Sequence, residues 1–127
     1  MTDPIADLLT RIRNAYSSQK EMTKAPHSSM KMGVLKVMKE RNFIKDYKED
    51  KSEKGFKEIA INLLPSGKEI TFKRISKPGQ RIYVKSSEIK KVNGGLGVAI
   101  VSTPKGIITG EEAVNNKVGG ELICEIY

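Results

Sequence analysis

A short turn rich in hydrogen-bonding residues is the clearest candidate for binding chemistry in this sequence. Its members follow the apolar stretch 98–101: Ser102, Thr103, Pro104, Lys105 and Gly106. The hydroxyls of Ser102 and Thr103 can donate and accept hydrogen bonds, and Lys105 can contact a phosphate. Small polar groups on a rigid hairpin turn suit the wide, shallow minor groove of A-form RNA. The same residue types also form ordinary hairpin turns that bind nothing.

Few residues in this sequence are suited to catalysis or metal binding. One cysteine, Cys124, and one histidine, His27, cannot build a structural zinc site, which needs about four such ligands. The alternative function is a small cytosolic enzyme with Ser102 or Cys124 as nucleophile, for which His27 is the one candidate base. Because Cys124 falls on the apolar face of the last strand pattern, we expect an inert core thiol. We therefore predict no catalytic residue, no metal and no cofactor.

The chain is strongly basic, which indicates a polyanionic partner. It has 23 Lys and Arg residues against 15 Asp and Glu in 127 residues, a formal net charge of +8. For small basic proteins the commonest polyanion is RNA or DNA. Residues 66–92 hold 8 basic and 2 acidic side chains, whereas residues 93–127 hold 2 basic and 4 acidic ones. Phosphate contacts cannot distinguish sequences, so specificity is expected from the less charged elements.

A membrane or an exported location is not indicated. No apolar run approaches the roughly 20 residues of a membrane-spanning helix. The start Met1-Thr2-Asp3-Pro4 is neither basic nor apolar, unlike a signal segment. A single cysteine also suits a reducing cytosol. We expect a cytoplasmic protein with no membrane partner.

Helical spacing predicts two helices in the first half of the chain. Asp3 is a good N-cap and Pro4 is tolerated at the first helical position. One buried face then repeats every three or four residues: Ile5, Leu8, Leu9 and Ile12. Ser28 or Ser29 can cap a second helix, which Asn42 should end. The basic side chains of this second helix are expected outside: Lys31, Lys36, Lys39 and Arg41.

Alternating apolar and polar residues predict short strands over much of the remaining chain. The predicted strands are 22–25, 43–49, 56–63, 70–75, 81–85, 98–103, 107–108 and the end of the chain. In the last strand, Leu122, Cys124 and Ile126 are expected to share the buried face. Thr109 followed by Glu112 fits a capping box that opens a short third helix, which should run to about Lys117.

The order of the elements predicts an α+β fold in two small lobes. The lobe 1–64 should hold two helices on a short antiparallel sheet. The lobe 65–127 should be strand-rich, with the short helix. The boundary is placed near the turn Leu64-Pro65-Ser66-Gly67.

Three blocks of the sequence carry a family resemblance. They are DPIADLLTRIRNA at 3–15, RISKPGQRIY at 74–83, and GVAIVSTPKGIIT at 97–109, which continues through 112–113 and 118–121. Together they resemble the eighth family of small-subunit ribosomal proteins, of bacterial type, over nearly the whole chain.

The resemblance implies a structural protein of the small ribosomal subunit, located on cytoplasmic ribosomes and without catalytic activity. It implies primary binding to the central domain of small-subunit ribosomal RNA, which helps to organise the platform during assembly. The implied partners are that RNA, neighbouring small-subunit ribosomal proteins and the protein's own operon messenger RNA. Binding to a hairpin in that messenger RNA would give translational feedback.

The resemblance also implies which residues contact RNA. They are Ser102, Thr103, Pro104, Lys105 and Gly106 in the hairpin, with Tyr83 and the turn Gly119-Gly120-Glu121 beside it. Ser102 and Thr103 are implied to contact bases and sugars, and Lys31 in the first lobe to face the phosphate backbone. The alternative for Tyr83 is a packing role between the lobes.

Two positions depart from the family pattern. Many members have a serine where this chain has Pro104, so one hydroxyl and one backbone N–H are missing. The family tends to place a basic residue where this chain has Val114, so one phosphate contact is in doubt.

Overall fold

The computed structural model describes residues 2–65 and 69–127. Its fold is α+β, as predicted, with helices and a small sheet first and a strand-rich part with a short helix second. The chain divides into two compact units. One is Ile5–Ile70, and the other is Thr71–Tyr127 together with the first residues, up to Pro4. The predicted turn at 64–67 lies partly outside the described residues.

The first unit combines two helices with a three-stranded antiparallel sheet in the order β1-β3-β2. Its elements are α1 Pro4–Ser17, β1 Met22–Pro26, α2 Ser29–Glu40, β2 Asp46–Lys51 and β3 Lys57–Asn62. The predicted face of α1 is buried: Ile5, Leu8, Leu9, Ile12 and Ala15. Ile59 and Ile61 of β3 are fully buried as well, so these faces form the core of the unit.

The ends of α2 show why β2 begins later than predicted. The Ser28 side chain caps the helix by accepting a hydrogen bond from the Lys31 N–H (3.2 Å). At the other end Asn42 adopts a positive φ of 62°, as its predicted role as helix stop requires. The Phe43 N–H then donates to the Met38 carbonyl (2.8 Å), which is the hydrogen bond of a Schellman cap. Because Phe43 belongs to this cap, β2 starts only at Asp46.

The second unit is built around strand β8. Its elements are β4 Phe72–Arg74, β5 Tyr83–Val84, β6 Val98–Thr103, β7 Gly106–Thr109, α3 Gly110–Asn115 and β8 Gly120–Ile126. The sheet order is β4-β8-β6-β7, and β5 also pairs with β8. The Thr109 side chain caps α3 by accepting from the Glu112 N–H (3.1 Å), as predicted. The helix ends at Asn115, slightly before the predicted end.

A bulge in β8 overturns the alternation predicted for the last strand. Ile100 pairs with Cys124 and Val101 with Leu122, so Ile123 is an extra residue without a partner on β6. As a result Ile123 and Cys124 are both buried, whereas Leu122 is only half-buried. Burial raises the pKa of the Cys124 thiol to about 12, so this cysteine is an unreactive core residue.

No helix within residues 2–65 and 69–127 is long and apolar enough to cross a bilayer.

Candidate RNA-binding site

Three strands bring predicted site residues into one row. Tyr83 of β5 pairs with Glu121 of β8, and Glu121 pairs on its other side with Ser102 of β6. Directly paired residues of antiparallel strands point to the same face, about 4.5–5.5 Å apart at Cβ. A phenol, a carboxylate and a hydroxyl therefore lie side by side next to the hairpin between β6 and β7.

Two glycines allow these strands to approach each other. A Cβ atom added to Gly120 would overlap the Ser102 carbonyl oxygen, and one added to Gly119 would overlap the Val84 carbonyl oxygen. The predicted turn at Gly119-Gly120-Glu121 is wrong in part, because Gly120 already belongs to β8. The glycines serve close strand packing, and they place Glu121 between Tyr83 and Ser102.

Glu121 is held by two side chains that the sequence analysis did not select. The buried Ser76 hydroxyl donates to Glu121 Oε2 (2.5 Å), and Arg81 Nη1 donates to the same oxygen (3.0 Å). Burial alone would raise the pKa of Glu121, but the hydrogen bonds from Ser76 and Arg81 outweigh it and lower that pKa. The Ser76 oxygen in turn accepts the Ile82 N–H (3.1 Å), which anchors the segment that leads into β5. Ser76 and Arg81 lie within the block 74–83, which was the one signal available in the sequence.

The hairpin has a two-residue turn, and Thr103 stabilises it. Thr103 Oγ1 donates to the Gly106 carbonyl (2.9 Å) and accepts the Lys105 N–H (3.1 Å). Gly106 has a φ of 105°, which favours glycine at this position. Since the Thr103 hydroxyl is already bonded twice, it mainly fixes the shape of the turn. Ser102 Oγ forms no hydrogen bond within the described ranges and is the freer of the two hydroxyls.

The rim of the site is accessible. Pro104, Lys105 and Gly106 are exposed, and the Tyr83 side chain is 71% exposed. Val114, the second departure from the family pattern, is also a surface residue (43% exposed).

The prediction that the Lys31 side chain lies on the outside of α2 is wrong. Only 4% of Lys31 is exposed, and Nζ donates to the Pro26 carbonyl (2.9 Å). Burial lowers the Lys31 pKa, an effect that Asp7 opposes and Arg11 reinforces. Lys31 lies in the first turn of α2, three residues after the Ser28 cap and five after Pro26. From this position its side chain reaches back to the end of β1. The phosphate contact of Lys31 stays a prediction. Lys31 lies in the unit Ile5–Ile70, whereas the hairpin lies in the other unit.

Comparison with known proteins places these residues in a family. The family model described as Ribosomal protein S8 matches residues 3–127. Small ribosomal subunit protein uS8 of Exiguobacterium sibiricum is 49% identical over 131 residues, covering 100% of this chain and 98% of that protein. The protein of the same name from Rhodopirellula baltica is 46% identical, covering 99% and 98%. That from Halothermothrix orenii is 44% identical, covering 100% and 98%.

Proposed function

Because the chain belongs to the ribosomal protein S8 family, we propose that it is a primary binder of the central domain of small-subunit ribosomal RNA. A protein of this family is a structural constituent of the small ribosomal subunit in the bacterial cytoplasm, and it is not an enzyme. Its partners are ribosomal RNA and ribosomal proteins. The finer proposal is that this chain docks on one helix of the central domain early and organises the platform.

The row Tyr83–Glu121–Ser102 beside the exposed hairpin rim is the observation that carries this proposal. It offers short hydrogen-bonding groups on a rigid sheet, with Lys105 as the one basic side chain of the turn. Such a surface suits 2′-hydroxyls and base edges in a shallow groove. A surface that bound RNA only through charge would instead need a dense cluster of lysines and arginines.

We assign separate roles to the proposed contact residues. Ser102 is the hydroxyl that contacts base and sugar, while Thr103 and Gly106 hold the turn that presents it. Tyr83 supplies an exposed ring and phenol at the other end of the row. Pro104 and Lys105 form the tip, where Pro104 provides shape but no N–H donor. Gly119, Gly120 and Glu121 set the spacing between Ser102 and Tyr83.

We further propose that the two predicted lobes contact different parts of the RNA. The lobe 1–64 would hold the phosphate backbone with its exposed basic side chains. Net charge does not separate the two lobes, since each carries +4, from 13 basic and 9 acidic side chains in 1–64 and from 10 and 6 in 65–127. The lobe 65–127 would supply the groups that distinguish one RNA helix from another. Phosphate contacts fix position, and contacts in the groove give specificity.

Footprinting on the complete small-subunit RNA tests the role as primary binder. Hydroxyl radicals cleave the RNA with and without the purified protein, in the absence of every other ribosomal protein. We expect protection of riboses within one helix of the central domain. Protection that appears only after other ribosomal proteins are added would contradict primary binding.

Translational feedback is a second proposal, supported by the family resemblance. The free protein is expected to bind a hairpin in its own operon messenger RNA that mimics the ribosomal site. Competition measures this directly, since unlabelled ribosomal helix should displace the messenger hairpin from the protein. Failure to bind any segment of that messenger RNA would exclude feedback while leaving ribosomal binding intact.

A further inference from the structure

A second candidate RNA-binding surface lies in the unit Ile5–Ile70, at the hairpin between β2 and β3. An open groove there is bordered by the end of β1, the start of β3 and the turn that joins β2 to β3. The side chains that matter for its chemistry are Phe56, Lys51, Lys54, Lys57, Lys24 and Glu58. None of them belongs to the contact residues proposed above.

The turn holds an aromatic ring in the open. Phe56 is 70% exposed, so its ring is open to a ligand. Its backbone is nevertheless fixed, because the Ser52 N–H donates to the Phe56 carbonyl (2.8 Å) and the Phe56 N–H donates to Ser52 Oγ (3.1 Å). Gly55 closes the turn with a φ of 83°. The ring therefore sits on a structured support.

The charges around this ring are mostly positive and incompletely balanced. Lys24 Nζ lies 3.9 Å from both Asp50 and Glu58, so its charge is compensated. Lys51, Lys54 and Lys57 form no ion pair within residues 2–65 and 69–127. Besides Glu58, the acidic side chain of Glu53 also lines the groove. Three lysines without a carboxylate partner next to an exposed ring favour an anionic, stackable ligand.

We propose that this groove binds an unpaired nucleotide of RNA, with its base stacked on Phe56 and the flanking phosphates held by Lys51, Lys54 and Lys57. Proteins that bind single strands use this combination of a basic groove and an aromatic side chain, and the stacking tolerates any base. The inference rests on the proposed function only in taking RNA as the ligand. It adds a single-strand contact to the duplex contact of the Ser102 hairpin.

Binding of a fluorescently labelled oligouridine of about 12 nucleotides by the full-length protein tests this proposal. We expect Phe56→Ala to weaken binding about tenfold, because stacking on one base is lost. Phe56→Tyr keeps a ring and should bind within about twofold of the original protein. Leu96→Ala is the matched control, since Leu96 is an exposed apolar residue (82%) in the other unit, and it should change nothing. Circular dichroism checks that each variant is folded.

The charge contribution is tested in the same assay over a series of salt concentrations. Lys51→Gln/Lys54→Gln should bind more weakly and show a slope reduced by about 1–2 on a plot of log affinity against log salt. Unchanged oligouridine binding in folded Phe56→Ala would overturn the proposal, and so would equal losses in Phe56→Ala and Phe56→Tyr. The Ser102→Ala/Thr103→Ala variant separates the two surfaces. It should keep oligouridine binding whether or not it recognises the ribosomal helix.

Discussion

At the scale of single residues, Glu121 connects the parts of the candidate site. One of its carboxylate oxygens accepts from both Ser76 and Arg81, and its backbone pairs with β5 and β6. A charged hydrogen bond of this kind is stronger than a neutral one. The carboxylate therefore stabilises the arrangement that exposes Tyr83 and Ser102.

The lowered pKa of Glu121 predicts how stability depends on pH. Its ionised form is favoured in the folded state, so this stabilisation is complete above the unfolded value of about 4.3 and is lost as pH falls through the folded pKa. Glu121→Gln should lower the free energy of unfolding by about 1–2 kcal/mol at neutral pH and show less of the acid-dependent loss. Urea unfolding at several pH values measures both effects. Glu40→Gln, on the exposed side of α2, is the control. If Glu121→Gln lost stability with falling pH in the same way as the original protein, the stabilising role of the Glu121 carboxylate would be contradicted.

Substitutions at Gly120 and Ser102 distinguish an effect on strand spacing from an effect on the proposed hydrogen bonding to RNA. Gly120→Ala places a methyl group against the Ser102 carbonyl, and we expect it to destabilise the fold by about 1–3 kcal/mol. Ser102→Ala removes a hydroxyl without a hydrogen bond in the described chain, so stability should stay within about 0.5 kcal/mol while RNA binding falls. Denaturant unfolding and RNA titration of both variants test this. Equal destabilisation by the two changes would show that Ser102 is structural.

The site residues that could be predicted from the sequence were those in the hairpin turn and in the blocks that resemble the family. Ser76 was missed because its role depends on a partner 45 positions along the chain, which no local pattern reveals. Lys31 was placed outside because helix spacing gives the direction of a side chain but not the reach of a lysine. Its flexible stem allows Nζ to reach a backbone carbonyl at the end of β1.

At the scale of elements, Arg74 fixes the start of the chain and the bulge in β8. Its guanidinium contacts Asp3 (Nε to Oδ2, 3.1 Å), and Nη1 donates to the carbonyl of the bulged residue Ile123 (2.6 Å). The Arg74 and Asp3 side chains are only 11% and 19% exposed. A pair this sheltered from water is less screened than a surface pair, so its loss should cost more than the loss of a surface pair.

We predict that Arg74→Met lowers the free energy of unfolding by about 2–3 kcal/mol, since it removes the ion pair and the bond to the bulge. Lys39→Met is the matched control. Its ion pair with Asp46 (3.1 Å) is about half exposed on both sides, and its loss should cost at most about 0.5–1 kcal/mol. Urea unfolding of both variants measures the difference. Similar losses would mean that the bulge does not depend on Arg74.

The elements were predicted well where local chemistry defines their ends. The caps at Asp3-Pro4, Ser28, Asn42 and Thr109 all lie at or next to the observed helix ends. Strand ends were predicted less well, since 70–75 and 81–85 shrink to β4 and β5. Strand length depends on the partner across the sheet, and the Ile123 bulge depends on the register with β6. Neither can be obtained from alternation alone.

At the scale of the whole molecule, charge is distributed unevenly along the chain. Residues 93–127, which contain the hairpin, carry more acidic than basic side chains, while residues 66–92 carry 8 basic and 2 acidic ones. Affinity should therefore depend on salt mainly through residues outside the hairpin. Specificity should survive high salt better than affinity does.

Recognition through the Ser102 hairpin is tested most directly by binding of the purified protein to the isolated central-domain helix of small-subunit ribosomal RNA. The titration is run over a salt series with a scrambled duplex and with Ser102→Ala/Thr103→Ala alongside. We predict that the protein prefers the native helix at every salt concentration. The double variant should bind both duplexes equally and keep the same salt slope. Equal binding of the original protein to both duplexes, collapsing as salt rises, would contradict recognition through the hairpin.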